Sequence, residues 1–264
     1  MTPKNFIITG AGRGIGRGLS RLLLNDGHRV FLIDNNTTEL GHTVENLSVK
    51  HDRGKDFEAK TCNLRKPAEI ITAIAAASKL FQGKLDVLVN NAAYTEAVGK
   101  ASLEQLSLDD WNASLEVNLT APMLVTKACL TMLEHAPEGG AVINISSTRA
   151  FMSEQHNEPY SATKAGLLGL TQSMAVSLAE KDIRVNAILP GWINVSDECK
   201  EADEKDQDWE EGLTREDHRW HPAGRVGKVD DIWRAVMFLV DSEFVTGTEV
   251  VVDGGVTRKM IYPE

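Results

Sequence analysis

Residues 7–16 read Ile7-Ile8-Thr9-Gly10-Ala11-Gly12-Arg13-Gly14-Ile15-Gly16. An apolar strand pattern, Asn5 to Thr9, runs into this stretch, and Ile15, Leu19, Leu22 and Leu23 leave it at helical spacing, ending at Gly27, a residue suited to closing a helix. Strand, glycine-rich turn and helix in that order bring backbone close to a pyrophosphate and aim helix N–H groups at it. Glycine permits the approach because it carries no Cβ. The GxGxxG spacing is not met, since the sixth position counted from Gly10 is Ile15; Thr9, Gly10, Gly14 and Gly16 instead spell TGxxxGxG. A glycine-rich turn without a ligand is the bland alternative, and the strand before and amphipathic helix after weigh against it.

Outward from this turn, Val30 to Asp34, Leu85 to Asn90, Ala141 to Ser146, Val185 to Leu189 and Glu249 to Val252 are short runs rich in Val, Ile and Leu. Strands buried on both faces read this way. Helix-length patterns lie between them: Pro67 opens one as an N1 proline, with Ile70, Ile71 and Ile74 assigned to its inner side. Alternating strand and helix predicts an α/β fold, a doubly wound, mostly parallel sheet with helices on both faces. No repeat or low-complexity tract interrupts it, so the expectation is a single domain over 1–264. The one compositional shift lies between Trp192 and Pro222, where 11 acidic and 4 basic residues carry −7 of the chain's −10. That stretch also holds Trp192, Trp209 and Trp220, and reads as a partly helical lid inserted over the sheet at about 192–222 rather than as a linker.

Composition narrows the function classes. The 264 residues are 42% hydrophobic and 25% charged, sufficient for one sizeable core. Cys62, Cys129 and Cys199 are widely spaced and form no CxxC, which disfavours a disulfide framework or zinc knuckle and fits a reducing cytoplasm. Met1-Thr2-Pro3-Lys4 does not open a signal peptide, and the longest apolar run, Ala235 to Val240, falls far short of the roughly 18 residues a membrane span needs. Net charge −10 argues against nucleic acid or an anionic membrane as partner, since both require clustered Lys and Arg.

Further along, Asn90-Asn91-Ala92-Ala93 ends a strand, Asn118 sits in Val117-Asn118-Leu119, and Ile145-Ser146-Ser147 precedes Tyr160-xxx-Lys164, Pro190-Gly191, Gly224-Arg225-Val226-Gly227 and Val252-Asp253-Gly254-Gly255. A lone YxxxK would mean little, because chance yields roughly 0.2 of them in a chain of this composition. In this order, behind the Thr9 loop, the set closely resembles the short-chain dehydrogenase/reductase family over almost the whole chain. Ala93 departs from that family's NNAG.

The resemblance implies a Rossmann fold with a seven-stranded sheet and an NAD(P)-dependent oxidoreductase that interconverts a secondary alcohol and a ketone. Contacts to the dinucleotide would come from Thr9, Gly10, Gly12, Arg13, Gly14, Ile15, Gly16, Asp34, Asn63, Leu64, Asn91, Ala92, Tyr160, Lys164, Pro190 and Gly191. Hydride transfer is the cofactor's chemistry, so the protein must supply position and a proton. Tyr160 is the implied acid and base; lowering a phenol from about 10 to about 7 takes roughly 4 kcal/mol of phenolate stabilisation. Lys164, one helical turn on, can supply part of it, together with the positive charge of an oxidised nicotinamide. Ser147, 13 residues before Tyr160, would hold the substrate oxygen, with Ser146 sent to the opposite side by strand alternation. Asn118 would help hold a water that relays protons from Lys164. The bland alternatives are a half-buried aromatic with a satisfied hydroxyl for Tyr160, and for Asn118 a polar side chain satisfying backbone at a helix break.

Asp34, 24 residues after Gly10, can accept both ribose hydroxyls and repel a 2′-phosphate, which favours NAD. Arg13 pulls toward NADP, which stays possible. Asn63 replaces the family's usual aspartate at the adenine and keeps an acceptor oxygen. The substrate pocket is expected from Arg149, Phe151, Met152, Glu154 and Trp192, with Arg149 awaiting a carboxylate or else paired with an acid such as Glu154. Where the family continues PGxxxT this chain has Val195 and then Ser196; either Ser196 substitutes or the hydroxyl contact is lost. The acidic lid favours a small neutral or cationic substrate, a sugar or polyol ahead of an acyl group on an acidic carrier, unless it is simply a solvated face. His218-xx-His221 lacks a third ligand, so no metal is expected. The family implies a homodimer or homotetramer through long helices near Leu108–Glu134 and Tyr160–Glu180, and the tail Arg258–Tyr262 is apolar enough to join. A dinucleotide-binding scaffold that no longer catalyses is the competing function class.

Overall fold

The computed structural model describes residues 2–260. Strands β1 (Asn5–Thr9), β2 (Arg29–Asp34), β3 (Phe57–Thr61), β4 (Val87–Asn90), β5 (Gly140–Ile145), β6 (Ile183–Pro190) and β7 (Glu249–Val252) form one sheet in the order β3-β2-β1-β4-β5-β6-β7. Every pairing in it is parallel. The helices are α1 (Gly14–Asn25), α2 (Thr37–Leu47), α3 (Pro67–Phe81), α4 (Leu108–Leu115), α5 (Ala121–Glu134), α6 (Glu158–Ser177), α7 (Lys200–Glu204), α8 (Arg215–Trp220) and α9 (Val229–Asp241). A π-helical turn, Glu116–Thr120, joins α4 to α5 without a break in the chain's helical run.

Strand alternation builds two cores, one on each face of the sheet. Phe6, Ile8, Leu32, Val89 and Ile143 pack with Leu19 and Leu23 of α1 and Val236 of α9, whereas Ile7, Phe31, Leu88 and Val142 pack with α3 and α5. The order in which strands are added reverses between β1 and β4, which are neighbours in the sheet although β2 and β3 intervene in sequence. In such sheets the crevice at the carboxyl ends of the two strands is where ligands lie. Thr9 and Asn90 both end there.

Two details depart from the sequence reading. β3 was not marked by an apolar run, because of its residues only Phe57 is fully covered and Lys60 and Thr61 are exposed at the sheet edge. Ile71 is 65% exposed, not inward: Ile70, Ala73, Ile74 and Ala77 complete the buried face of α3, and Ile71 lies about 100° round the helix from Ile70. Pro67 does open α3. The acidic stretch is partly helical as expected, in α7 and α8. Among the described residues, no helix is long and apolar enough to cross a membrane. The expected packing tail falls partly on Ile261 and Tyr262, outside the described residues.

Candidate active site

The Thr9 loop is tied to the end of β4. Thr9 Oγ1 accepts the N–H groups of Asn91 at 3.0 Å and Ala92 at 3.1 Å, and Asn91 Nδ2 donates to the carbonyls of Thr9 at 2.9 Å and Gly10 at 3.1 Å. The glycines divide the labour. Gly10 and Gly14 adopt left-handed backbone, φ 66° and 62°, which costs a residue with a Cβ. Gly16 serves close packing, since a Cβ there would lie 2.1 Å from the Gly10 carbonyl oxygen. Gly12 donates its N–H to Asp34 Oδ2 at 2.8 Å.

A cleft of about 680 Å³ opens above these strand ends. Of the residues expected at a dinucleotide, Gly10, Arg13, Gly14, Ile15, Asp34, Asn63, Leu64, Asn91, Ala92, Pro190 and Gly191 line it, together with Ser147, Tyr160 and Lys164. Thr9, Gly12 and Gly16 do not; they are buried supports behind the loop. Asp34 also accepts the N–H of Asn36, through Oδ1 at 2.8 Å. Asn63 Oδ1 accepts the N–H of Arg65 at 3.0 Å. A carboxylate has about four acceptor positions and an amide oxygen two, so both side chains keep acceptor capacity toward the cleft. Arg13 is exposed at its rim.

Tyr160 lies in the first turn of α6, which Pro159 helps to start. Burial pushes its phenol above the ordinary value, and the Ser147 hydroxyl and the Arg149 charge act in the opposite direction. Lys164 is 2% exposed; its Nζ donates to the Ile145 carbonyl at 2.7 Å and stands 5.5 Å from the centre of the Tyr160 ring. Burial pushes this ammonium down to about 8, because a charge that loses water costs free energy. Ser147 Oγ accepts the N–H of Arg149 at 3.1 Å, while Ser146 Oγ donates to the Lys164 carbonyl at 2.8 Å and so braces α6 against β5.

Asn118 is the buried residue of the π-helical turn. Its Oδ1 accepts the Tyr94 N–H at 2.7 Å, and its Nδ2 donates to the Tyr94 carbonyl at 3.3 Å and Thr163 Oγ1 at 3.2 Å. Asn118 therefore does satisfy backbone at a helix irregularity, and it joins the loop after β4 to α6 in doing so. A single inserted residue in a helix commonly re-aims a side chain in this way.

The residues expected at the substrate floor stand outside this cleft. Arg149, Phe151, Met152, Glu154 and Trp192 do not line the cleft. Arg149 is ion-paired with Glu154, Phe151 and Met152 are exposed, and Trp192 is half-exposed with its ring 6.0 Å from that of His221. Tyr94, Thr95, Glu96 and Val117, together with Ile193 and Val195, also line the cleft. The first three follow Asn90–Ala93 at the carboxyl end of β4, so the rule that ligands lie at such ends could have found them. Tyr94 is no rival to Tyr160: its hydroxyl donates to Asp110 Oδ1 at 2.7 Å, which pushes the phenol up to about 12.

Val195 reaches the cleft and Ser196 is exposed outside it, so no hydroxyl stands at the position after Pro190-Gly191 where one was sought. His221 Nδ1 contacts the Asp217 carbonyl at 2.9 Å, and no three His, Cys, Asp or Glu side chains cluster to hold a metal among the described residues.

Glycine loop, strand-end crevice and the half-buried Tyr160 beside buried Lys164 together mark an oxidoreductase. The family described as enoyl-(acyl carrier protein) reductase matches residues 10–257. An oxidoreductase of uncharacterised activity from Thermotoga maritima is 40% identical, with 99% of this chain and 98% of that protein covered. A cyclohexanol dehydrogenase from Acinetobacter sp. (strain SE19) is 32% identical over 97% of this chain and 96% of its own length. Among solved structures, a SCOR enzyme from Clostridium thermocellum superposes with a TM-score of 0.82 at 32% identity, covering 99% of this chain and 96% of the other. The chain belongs to the short-chain dehydrogenase/reductase family and is an oxidoreductase. That family uses NAD(P), and the Cβ-free loop and the acceptors of Asp34 and Asn63 fit such a group.

Proposed function

We propose that the protein interconverts a small uncharged secondary alcohol and its ketone, with NAD as the preferred cofactor and Tyr160 as the proton-transferring group. The observation that carries this reading is that Ser147, Tyr160 and Lys164 share one cleft with Gly14, Ile15 and Asp34. When bound, the nicotinamide supplies or takes the hydride. Ser147 donates a hydrogen bond to the substrate oxygen and holds it beside the Tyr160 hydroxyl. In reduction Tyr160 gives its proton to that oxygen; in oxidation it takes one. Lys164 stabilises the phenolate so formed, and Asn118 orders a water through which the proton is replaced.

Burial favours the phenol form of Tyr160, the form that ketone reduction uses. Alcohol oxidation needs the phenolate, so its rate rises with pH. The Lys164 ammonium titrates near 8, so reduction slows above that pH as the charge that helps the phenol release its proton is lost. Rate profiles in both directions check these signs.

Asp34 supports NAD over NADP: it faces the cleft with acceptor capacity for ribose hydroxyls, and its charge repels a 2′-phosphate. Arg13 at the rim keeps NADP available as a second cofactor. The exposed Glu96 in the cleft wall and the acidic 192–222 stretch support a neutral substrate, a sugar, polyol or cyclic alcohol, over an anionic acyl carrier. The cyclohexanol dehydrogenase relative supports the same class. A single catalytic domain, a cytoplasmic setting suggested by the free cysteines and assembly as a homodimer or homotetramer complete the proposal. Following NADH and NADPH consumption over a panel of ketones and sugars tests it; a chain that binds NADH but oxidises it with no carbonyl compound would instead be a scaffold.

A further inference from the structure

The acidic stretch after Gly191 is not one lid. Its first part, from Ile193 to Glu204, is fastened to the cofactor side of the molecule by buried charge. The Glu198 carbonyl accepts the N–H of Gly14 at 2.7 Å, the loop residue with left-handed backbone. The Glu198 carboxylate, 4% exposed, lies between two arginines of α1: Arg17 Nε is 3.5 Å from Oε2, and Arg21 is ion-paired with Oε1. Gly18 makes room for it, since a Cβ there would stand 2.9 Å from Glu198 Oε1. One turn on, Asp203 Oδ2 accepts from Arg17 Nη2 at 2.5 Å, His42 Nε2 at 2.7 Å and Asn46 Nδ2 at 2.7 Å. Two helices, α1 and α2, thus grip one short segment.

Buried ions are retained only when paired. Lifting this segment would leave Arg17, itself 8% exposed, and Glu198 without partners, so the segment stays down. We infer that Glu198 is a positioning residue for the dinucleotide: clamped by Arg17 and Arg21, it fixes the Gly14 N–H and presses Ile193 and Val195 into the wall of the cofactor cleft. Asp203 is the second anchor of the same wall. Beyond Glu204 the contacts are of another kind: the Trp209 carbonyl accepts from Asn194 Nδ2 at 2.5 Å, and the Lys228 ammonium lies 3.9 Å from the Trp209 ring centre. This inference rests on the proposed dinucleotide binding.

The assignment predicts a division between affinity and turnover. Equilibrium titration with NADH, followed by fluorescence, gives Kd, and steady-state rates at saturating NADH give kcat. Glu198→Gln should raise Kd at least tenfold and leave kcat within twofold; Asp203→Asn and Arg21→Gln should each raise it about threefold, being outer members of the clamp. A merely structural role would lower the melting temperature or the folded fraction without moving Kd of the folded protein. Unchanged Kd in folded variants, or a fall in kcat at unchanged Kd, overturns the inference. If Glu198→Gln does not fold, the two milder variants decide it alone. Wild-type protein that binds neither NADH nor NADPH overturns the dinucleotide reading itself, a result distinct from any variant's.

Discussion

The turn at 9–16 and the stretch at 192–222 both border the cleft, yet they are shaped by different forces. The turn is shaped by backbone: two left-handed glycines, a glycine whose Cβ would meet a carbonyl, and a threonine hydroxyl that accepts two N–H groups. Apart from the threonine, whose partners Asn91 and Ala92 lie 82 and 83 positions on, these constraints are local, and few residue types satisfy them. The later stretch is shaped by charges whose partners are remote; Glu198 pairs with Arg21, 177 positions earlier. Geometry written in glycine spacing can be read from a sequence, whereas pairing across the fold cannot.

Substitutions sharpen that contrast. Gly16→Val should have the largest effect among them, because its side chain would collide with the Gly10 carbonyl; we expect a loss of about 1–3 kcal/mol of stability and of measurable NADH binding, seen by thermal melts and titration. Asp34→Ser comes next. Removing the carboxylate frees the N–H groups of Gly12 and Asn36 and lifts the repulsion of a 2′-phosphate, so the NAD-to-NADP preference in kcat/KM should fall about tenfold, or about 1.4 kcal/mol. Smallest is Trp192→Ala. The ring is 46% exposed and outside the cleft lining, so stability should change by no more than about 0.5 kcal/mol, measured by denaturant unfolding; a larger loss would show that the Trp192–His221 contact anchors the stretch.

Much of the fold was legible because the central strands are apolar on both faces and alternate with helices. β3 escaped because an edge strand needs only Phe57 to be covered, and Ile71 misled because three neighbouring isoleucines do not say which two face inward. In the site, order along the chain picked out Ser147, Tyr160 and Lys164, and all three reach one cleft. The substrate wall was expected just after Ser147, and those residues stand outside this cleft. Short 3-10 geometry at Thr148–Ala150, and the ion pair of Arg149 with Glu154, take the residues after Ser147 out of the cleft. The loop after β4 then fills the space, with Tyr94 locked on Asp110 and Asn118 holding its backbone. Neither contact has a sequence signature, since each joins residues 16 or more apart across a turn.

In the proposed reaction Tyr160 moves the proton while the rest of the cleft binds. Tyr160→Phe removes one oxygen and keeps the ring beside Lys164. Measured together, NADH affinity should stay within about threefold of wild type and carbonyl reduction should fall about 10²–10⁴-fold, the usual contribution of a positioned acid or base. Turnover close to wild type, with the same substrate and intact NADH binding, would contradict it.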